Sequence, residues 1–297
     1  MENLSYTPST YVEDFGLNDL SIFNVKSKKY LSYILQTKLE TLKNIYKNPY
    51  NFYRFEDKEI TKNGKTKTRK IEDPNWTLKP IHKLIHQLIS KIPTPDYLFS
   101  KKKSSCVLNA KAHSSISGFT LNIDIESFFP STQKHKVQSF FGYFLQYPRD
   151  VAEFMAEICT INNHIPTGSP LSLMLAFWAN KPMFDELNAL SKSRNITMTI
   201  YVDDISFTGM AVNERFKYKV LEIIGKYNHK VNKDKIRFFG KNFKFINGIA
   251  IINKQLVPNN KISRDVRELK TNIDSKNINN LKGKTNYINY IKSVNET

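Results

Sequence analysis

The chain has 297 residues, 40% of them hydrophobic, enough for one large core or a few packed subdomains, which excludes a disordered polymer. Its 45 Lys+Arg against 27 Asp+Glu leave a formal charge of +18, a positive field that favours a polyanionic partner such as a nucleic acid or acidic membrane, although a Lys- and Asn-rich proteome would supply part of it. Cys106 and Cys159 form no Cys-x-x-Cys pair, the start Met1-Glu2-Asn3-Leu4-Ser5 is not that of a signal peptide, and the apolar run 171–179 is too short to span a bilayer; a reducing cytoplasm and no membrane are expected.

Residues 17–45 read as mainly helical, because Tyr30, Leu31, Ile34, Leu35 and Leu39 recur at helical spacing and Leu42 and Ile45 extend that face. Residues 50–55 and 68–71 read as strands. Between them lies Lys62-Asn63-Gly64-Lys65, and Asn-Gly is the strongest short hairpin signal. Leu78, Ile81, Ile85, Leu88 and Ile89 restore the helical period over 78–92. Residues 118–128 alternate, with Leu121, Ile123 and Ile125 on one face and Asn122, Asp124 and Glu126 on the other. A helix is expected over 140–160, then a turn at Asn162-Asn163-His164. Ser169 reads as an N-cap with Pro170 at the first position of a helix reaching about residue 190. Strands at 197–202 and 205–208 flank Asp203-Asp204. A helix at 213–227 follows, then strands near 236–239 and 244–252, and the tail from Arg264 has weak helical periodicity. Strands interrupted by helices, with close hairpins, give an α+β fold with an antiparallel sheet.

Asp124 stands on the polar face of an apolar strand, and Asp203-Asp204 at the tip of the hairpin Ile200-Tyr201-Val202-Asp203-Asp204-Ile205-Ser206-Phe207. Taken singly, Asp-Asp is ordinary turn chemistry and a polar-face Asp is ordinarily solvated. Together, on strands that an antiparallel sheet can bring side by side, they suit two Mg²⁺ ions, which take oxygen ligands and clamp the attacking and leaving oxygens of a phosphoryl transfer.

Tyr201-Val202-Asp203-Asp204 matches the Tyr-x-Asp-Asp box of reverse transcriptases. Asn122-Ile123-Asp124-Ile125-Glu126-Ser127-Phe128-Phe129 resembles their first carboxylate motif. The resemblance implies that Asp124, Asp203 and Asp204 are catalytic and bind Mg²⁺, with Mn²⁺ as a possible substitute. It implies that Phe129 is a steric gate against a ribose 2′-OH. Ile165-Pro166-Thr167-Gly168-Ser169-Pro170-Leu171-Ser172 resembles the motif behind the incoming nucleotide, making Thr167 and Gly168 nucleotide-binding. Arg69-Lys70-Ile71 resembles the fingertip strand on the triphosphate, with Lys65 assisting, and Lys235 falls where the family places a lysine near pyrophosphate. Asn109-Ala110-Lys111-Ala112-His113 matches the Asn-Ala-x-x-His signature of retron reverse transcriptases, with Asn109 and His113 either RNA-binding or structural.

The likeness spans residues 20–290. It implies a right-hand polymerase with an N-terminal helical region (1–45), fingers and palm (46–252) and a short helical thumb (253–297). The implied partners are dNTPs, a cognate retron non-coding RNA and its DNA product, and an effector protein. The implied chemistry is synthesis from a guanosine 2′-OH to give branched msDNA, in bacterial anti-phage defence. Three departures stand out: Thr167 where many relatives have Gln, Leu173 where many have Pro, and Ile246-Asn247-Gly248 where retrons carry Val-Thr-Gly. A reverse transcriptase of another lineage, an RNA-dependent RNA polymerase and a catalytically weak or inactive RNA-binding scaffold remain alternatives. The bulky Phe129 argues against the second and the intact carboxylates against the last.

Overall fold

The computed structural model describes residues 20–62, 65–100, 105–271 and 277–296. The chain divides into two compact units: one takes in residues up to Thr94 and Ser127–Pro182, the other Pro95–Glu126 and the residues from Met183 onward.

In the first unit the helical stretch expected over 17–45 is broken. Residues 17–19 lie outside the described residues, and two helices, Lys28–Ile34 and Leu39–Lys47, follow. Between them Gln36 has φ of 50°, which no right-handed helix accommodates. The apolar face survives the break, since Leu31, Leu42 and Ile45 are fully buried. β1 (Tyr53–Lys62) pairs antiparallel with β2 (Lys65–Pro74), both longer than expected; the Asn63-Gly64 turn lies outside the described residues. The helix Leu78–Ile89 buries Leu78, Ile81, Ile85 and Ile89, and with them His82.

Two further expected helices are also interrupted. Over 140–160, a π-helical turn at Phe140–Phe144 gives way at Gln146 (φ 57°) and Pro148, and a separate helix runs Arg149–Cys159. A proline inside that span would clash with the carbonyl four residues earlier. The helix expected from Pro170 starts at Ser172 and stops at Ala179; Asn180 separates it from Lys181–Lys192, whose second residue is Pro182. Ser169 Oγ still accepts from Leu171 N at 3.4 Å, a capping contact just ahead of the helix.

The second unit carries the sheet that matters for function. Its strands are β3 (Phe119–Asp124), β4 (Thr197–Tyr201), β5 (Asp204–Gly209) and β6 (Arg237–Phe239), in the order β4-β5-β3-β6 with every pair antiparallel. The expected alternation holds: Leu121, Ile123 and Ile125 are buried on the apolar face. Behind the sheet, Phe207 meets Phe216 of the helix Glu214–Lys226 edge-on, 5.3 Å between ring centres. That helix is capped by Asn213, whose Oδ1 accepts from Phe216 N at 2.9 Å.

The strand expected over 244–252 is a hairpin. β7 (Phe243–Ile246) and β8 (Ile249–Ile252) reverse at Asn247 (φ 46°) and Gly248 (φ 83°), and β9 (Gln255–Pro258) completes a three-stranded sheet. Two left-handed residues in succession make the tight turn whose twist matches the flanking strands, and Asn-Gly is the pair best suited to it. Helices Asn260–Thr271 and Ile278–Glu296 end the chain. Ile246, Ile249, Ile251 and Leu256 pack with Ile291 and Val294 of the last helix and with Val107 and Ala110 of the helix Ser105–Ser114. No helix among the described residues is long and apolar enough to cross a membrane.

His113 bolts that Ser105–Ser114 helix to the four-stranded sheet. It is fully buried, its Nδ1 is 2.8 Å from Thr208 Oγ1 on β5, and its Nε2 is 2.8 Å from Thr199 Oγ1 on β4. Burial, aided by the Lys244 charge, lowers its pKa to about 3; burial likewise lowers His82 to about 4, against the pull of the Ile158 carbonyl. Both rings are neutral in the folded protein and take up protons on unfolding. Their contribution is therefore complete above the unfolded value of 6.5 and is lost as pH falls toward 4 and 3. The urea midpoint should decline steadily below about pH 6.5. His113→Ala, which leaves a cavity and strips two buried hydroxyls of a partner, should cost about 2–4 kcal/mol at neutral pH in the same denaturation.

Candidate active site

Antiparallel pairing sets the site. The register places Asp124, last residue of β3, opposite Asp204, first residue of β5, and Tyr201 opposite Asp204 across the β4–β5 hairpin. Between Tyr201 and Asp204, Val202 takes φ of 62°. A β-branched residue is sterically strained in that conformation, and such strain persists where the surroundings enforce it. Ile125 N donates to Asp203 O at 3.0 Å, locking the turn against the end of β3. One oxygen from each of Asp124, Asp203 and Asp204 lies within 4.8 Å of the others.

Three carboxylates this close repel one another. Burial first, then the charges of Asp203 and Asp124, push Asp204 up to about 6, with Lys235 opposing. Lys235 Nζ sits on Asp124 at 2.8 Å from Oδ1 and 2.7 Å from Oδ2. Burial disfavours the charged ammonium, but the hydrogen bond and charge of Asp124, reinforced by Asp203 and Asp204, outweigh it and raise the Lys235 pKa. The arrangement has the electrostatics of a cation site: all-oxygen donors, surplus negative charge and a side-chain ammonium on one carboxylate. Those residues fit a hard divalent cation.

Asp204 has a different partner. Asn247 Nδ2 lies 3.4 Å from Asp204 Oδ2, and Asn247 Oδ1 accepts from Asn109 Nδ2. Asn109 is 1% exposed on the Ser105–Ser114 helix. Thus one signature residue, Asn109, reaches the carboxylates through Asn247, while the other, His113, fixes the strands beneath them. Asn247 stood out in the sequence only as a departure from a family triplet; its signal was the Asn-Gly turn that aims it.

The other expected site residues belong to the first unit. Thr167 Oγ1 donates to Lys70 O at 2.7 Å and accepts from Glu72 N at 3.2 Å, so its hydroxyl grips the β2 backbone. Gly168 N donates to Glu72 O at 3.2 Å, and a Cβ at Gly168 would stand 2.8 Å from that oxygen. The close approach that requires glycine here is to β2. The Glu72 carboxylate accepts from Asn162 Nδ2 at 3.1 Å and Thr167 N at 3.3 Å, tightening the same clasp. Arg69 is exposed on β2 opposite Lys58, and Lys65 opens that strand opposite Lys62. Phe129 lies in the short helical turn Phe128–Ser131, its ring 5.9 Å from that of Phe128, and is partly exposed.

The raised Asp204 value means that ionising this group destabilises the metal-free fold as pH rises through about 6. Asp204→Asn should therefore melt higher than wild type in chelator, by a margin that widens from about pH 5 to pH 8. Added Mg²⁺ should raise the wild-type Tm more at the upper pH and shift the variant little. Differential scanning fluorimetry over a pH and Mg²⁺ grid reads both.

Comparison with known proteins identifies the family. The model of the family "Reverse transcriptase (RNA-dependent DNA polymerase)" matches residues 60–248. Retron Ec86 reverse transcriptase of Escherichia coli is 26% identical over 213 residues, covering 70% of this chain and 64% of that protein. Retron Se72 reverse transcriptase of Salmonella heidelberg is 27% identical over 179 residues, 57% of this chain and 46% of the relative. Retron Ec48 reverse transcriptase of Escherichia coli is 24% identical over 156 residues, 51% and 38% respectively. The matched stretches span less than two thirds of each of these relatives. With the three carboxylates, the Tyr201–Asp204 turn and Lys235 all inside the matched span, the chain belongs to the reverse transcriptase family.

Proposed function

We propose that this protein is the RNA-directed DNA polymerase of a retron. The observation that carries the proposal is the Asp124, Asp203 and Asp204 cluster at the end of an antiparallel sheet, in a chain whose similar curated relatives are retron reverse transcriptases. Its template and primer are a cognate structured non-coding RNA. A guanosine 2′-OH of that RNA starts synthesis, giving branched msDNA, and the product works with an effector protein in anti-phage defence in the bacterial cytoplasm. The +18 charge suits an RNA substrate, because Lys and Arg contacts to phosphate supply most nucleic-acid affinity.

Asp124, Asp203 and Asp204 would hold Mg²⁺. Bound there, the metal would supply the Lewis-acid charge that favours ionisation of the primer hydroxyl and offsets the charge on departing pyrophosphate. Lys235 has a role on either side of that event. Its ammonium neutralises Asp124. Released from Asp124, it would donate a proton or charge to pyrophosphate. Arg69 contributes fixed positive charge for the triphosphate, on a strand whose backbone Thr167 and Gly168 hold in place. Phe129 acts as the gate against a ribose 2′-OH.

Primer extension on an RNA template with Mg²⁺ tests this. DNA should form from dNTPs and not RNA from NTPs, and Asp203→Asn/Asp204→Asn should abolish it. Phe129→Ala should raise ribonucleotide incorporation about tenfold or more. RNA synthesis by the unaltered protein would overturn the gate. No synthesis, even on RNA co-purified from the native host, would support an RNA-binding scaffold instead.

A further inference from the structure

The direction of the Asn109–Asn247–Asp204 series is dictated by its last member. An ionised carboxylate only accepts, so Asn247 must turn its NH₂ toward Asp204 Oδ2, at 3.4 Å. Its oxygen is then left for Asn109, which must present its own NH₂. Asn109 Oδ1 is consequently stranded: it is buried and has no hydrogen-bond partner among the described residues. A buried amide with an unpaired acceptor costs stability that an apolar side chain of similar size would not. The neighbouring helix residues Val107 and Ala110 lie in an apolar cluster, so packing gives no reason for an amide there. Committing the amino end of the side chain to Asn247 is the reason its oxygen goes unpaired.

Asn247 is aimed by its backbone. It occupies the first place of the β7–β8 turn, with φ of 46°, followed by Gly248 at 83°. Asparagine tolerates this conformation better than other residues with side chains, and its short amide projects from the turn to Asp204. The contrast with Asp124 is chemical. Lys235 holds Asp124 with a full positive charge, which an incoming cation must displace. Asn247 holds Asp204 with a neutral donor, which brings no charge to compete with a cation and can stay in place once one has bound.

Taking the proposed polymerase site as its basis, we propose that Asn247 is a positioning residue that fixes the Asp204 carboxylate for metal binding, and that Asn109 holds Asn247 in that role. The pair work in series.

The test uses Asn247→Gly, which removes the amide while keeping a residue at ease with positive φ, and Asn109→Leu, which removes the buried amide and keeps its branched shape. Two readouts are taken on the full chain: the Mg²⁺ concentration at half-maximal thermal shift without nucleotide, and kcat and KM for dNTP in primer extension. Asn247→Gly should raise the Mg²⁺ midpoint and lower kcat, each about tenfold, as for lost outer partners of metal ligands. KM for dNTP should stay within about twofold, and excess Mg²⁺ should restore part of kcat. The double variant should match Asn247→Gly alone, because a series is already broken by one cut. An unchanged Mg²⁺ midpoint in Asn247→Gly, or additive losses in the double variant, would overturn the positioning role. Should Asn109→Leu fail to fold, Asn247→Gly decides alone. Wild-type protein with neither a Mg²⁺ shift nor DNA synthesis would instead sink the polymerase reading on which the proposal rests.

Discussion

The β3–β5 register is the constraint on which the site depends. Pairing Asp124 with Asp204 leaves Val202 and Asp203 to turn the chain, so three acidic side chains meet at one sheet end. A slip of one residue would send Asp124 to the apolar face and Ile123 or Ile125 to the site. The rest of the second unit fixes that register. Ile125 N bonds to Asp203 O, His113 ties β4 and β5 to one helix, and Thr120 Oγ1 lies 2.8 Å from Thr208 Oγ1 across β3 and β5. The strain of Val202 and the mutual repulsion of the carboxylates are both carried by this scaffold. Neither would persist in an isolated hairpin, which is marginal in water even without such penalties.

Repulsion among the carboxylates is answered in two ways. Lys235 supplies charge to Asp124, and Asn247 supplies a neutral hydrogen bond to Asp204. Both partners come from segments after the hairpin, Lys235 just before β6 and Asn247 from the β7–β8 turn. The folding of that later stretch is thus part of building the site, not an appendage to it. The first unit is arranged in a similar way: Thr167 and Gly168 fasten β2, the strand that presents Arg69 and Lys70, and Glu72 closes the clasp from within.

Legibility followed the range of the interactions involved. The two-residue alternation of Leu121 to Glu126 disclosed β3 and the face of Asp124, because strand pattern is local. The helix expected over 213–227 is found as Glu214–Lys226, capped by Asn213. The mainly helical stretch expected over 17–45 holds two helices, and the helices expected over 140–160 and from 170 are interrupted, since apolar spacing records which face is buried and not whether the backbone stays helical between the buried residues. Pro148 and Pro182 were visible stops; the positive φ at Gln36 and Gln146 had no such signal. Asn247-Gly248 carried the same hairpin signal as Asn63-Gly64 but was masked by the apolar run around it. The roles of His113, Asn109 and Thr167 depend on partners 86 or more residues away in sequence, and no spacing within their own segments encodes them.

The most direct test of the proposed metal-centred polymerase site is a crystal structure with Mn²⁺, an RNA template, a chain-terminated DNA primer and the next dNTP, with the metal located by anomalous scattering. Two Mn²⁺ peaks are expected among Asp124, Asp203 and Asp204, with the Lys235 ammonium withdrawn from Asp124. A ternary complex without metal at those three carboxylates, or with Lys235 still paired to Asp124, would contradict the site as described.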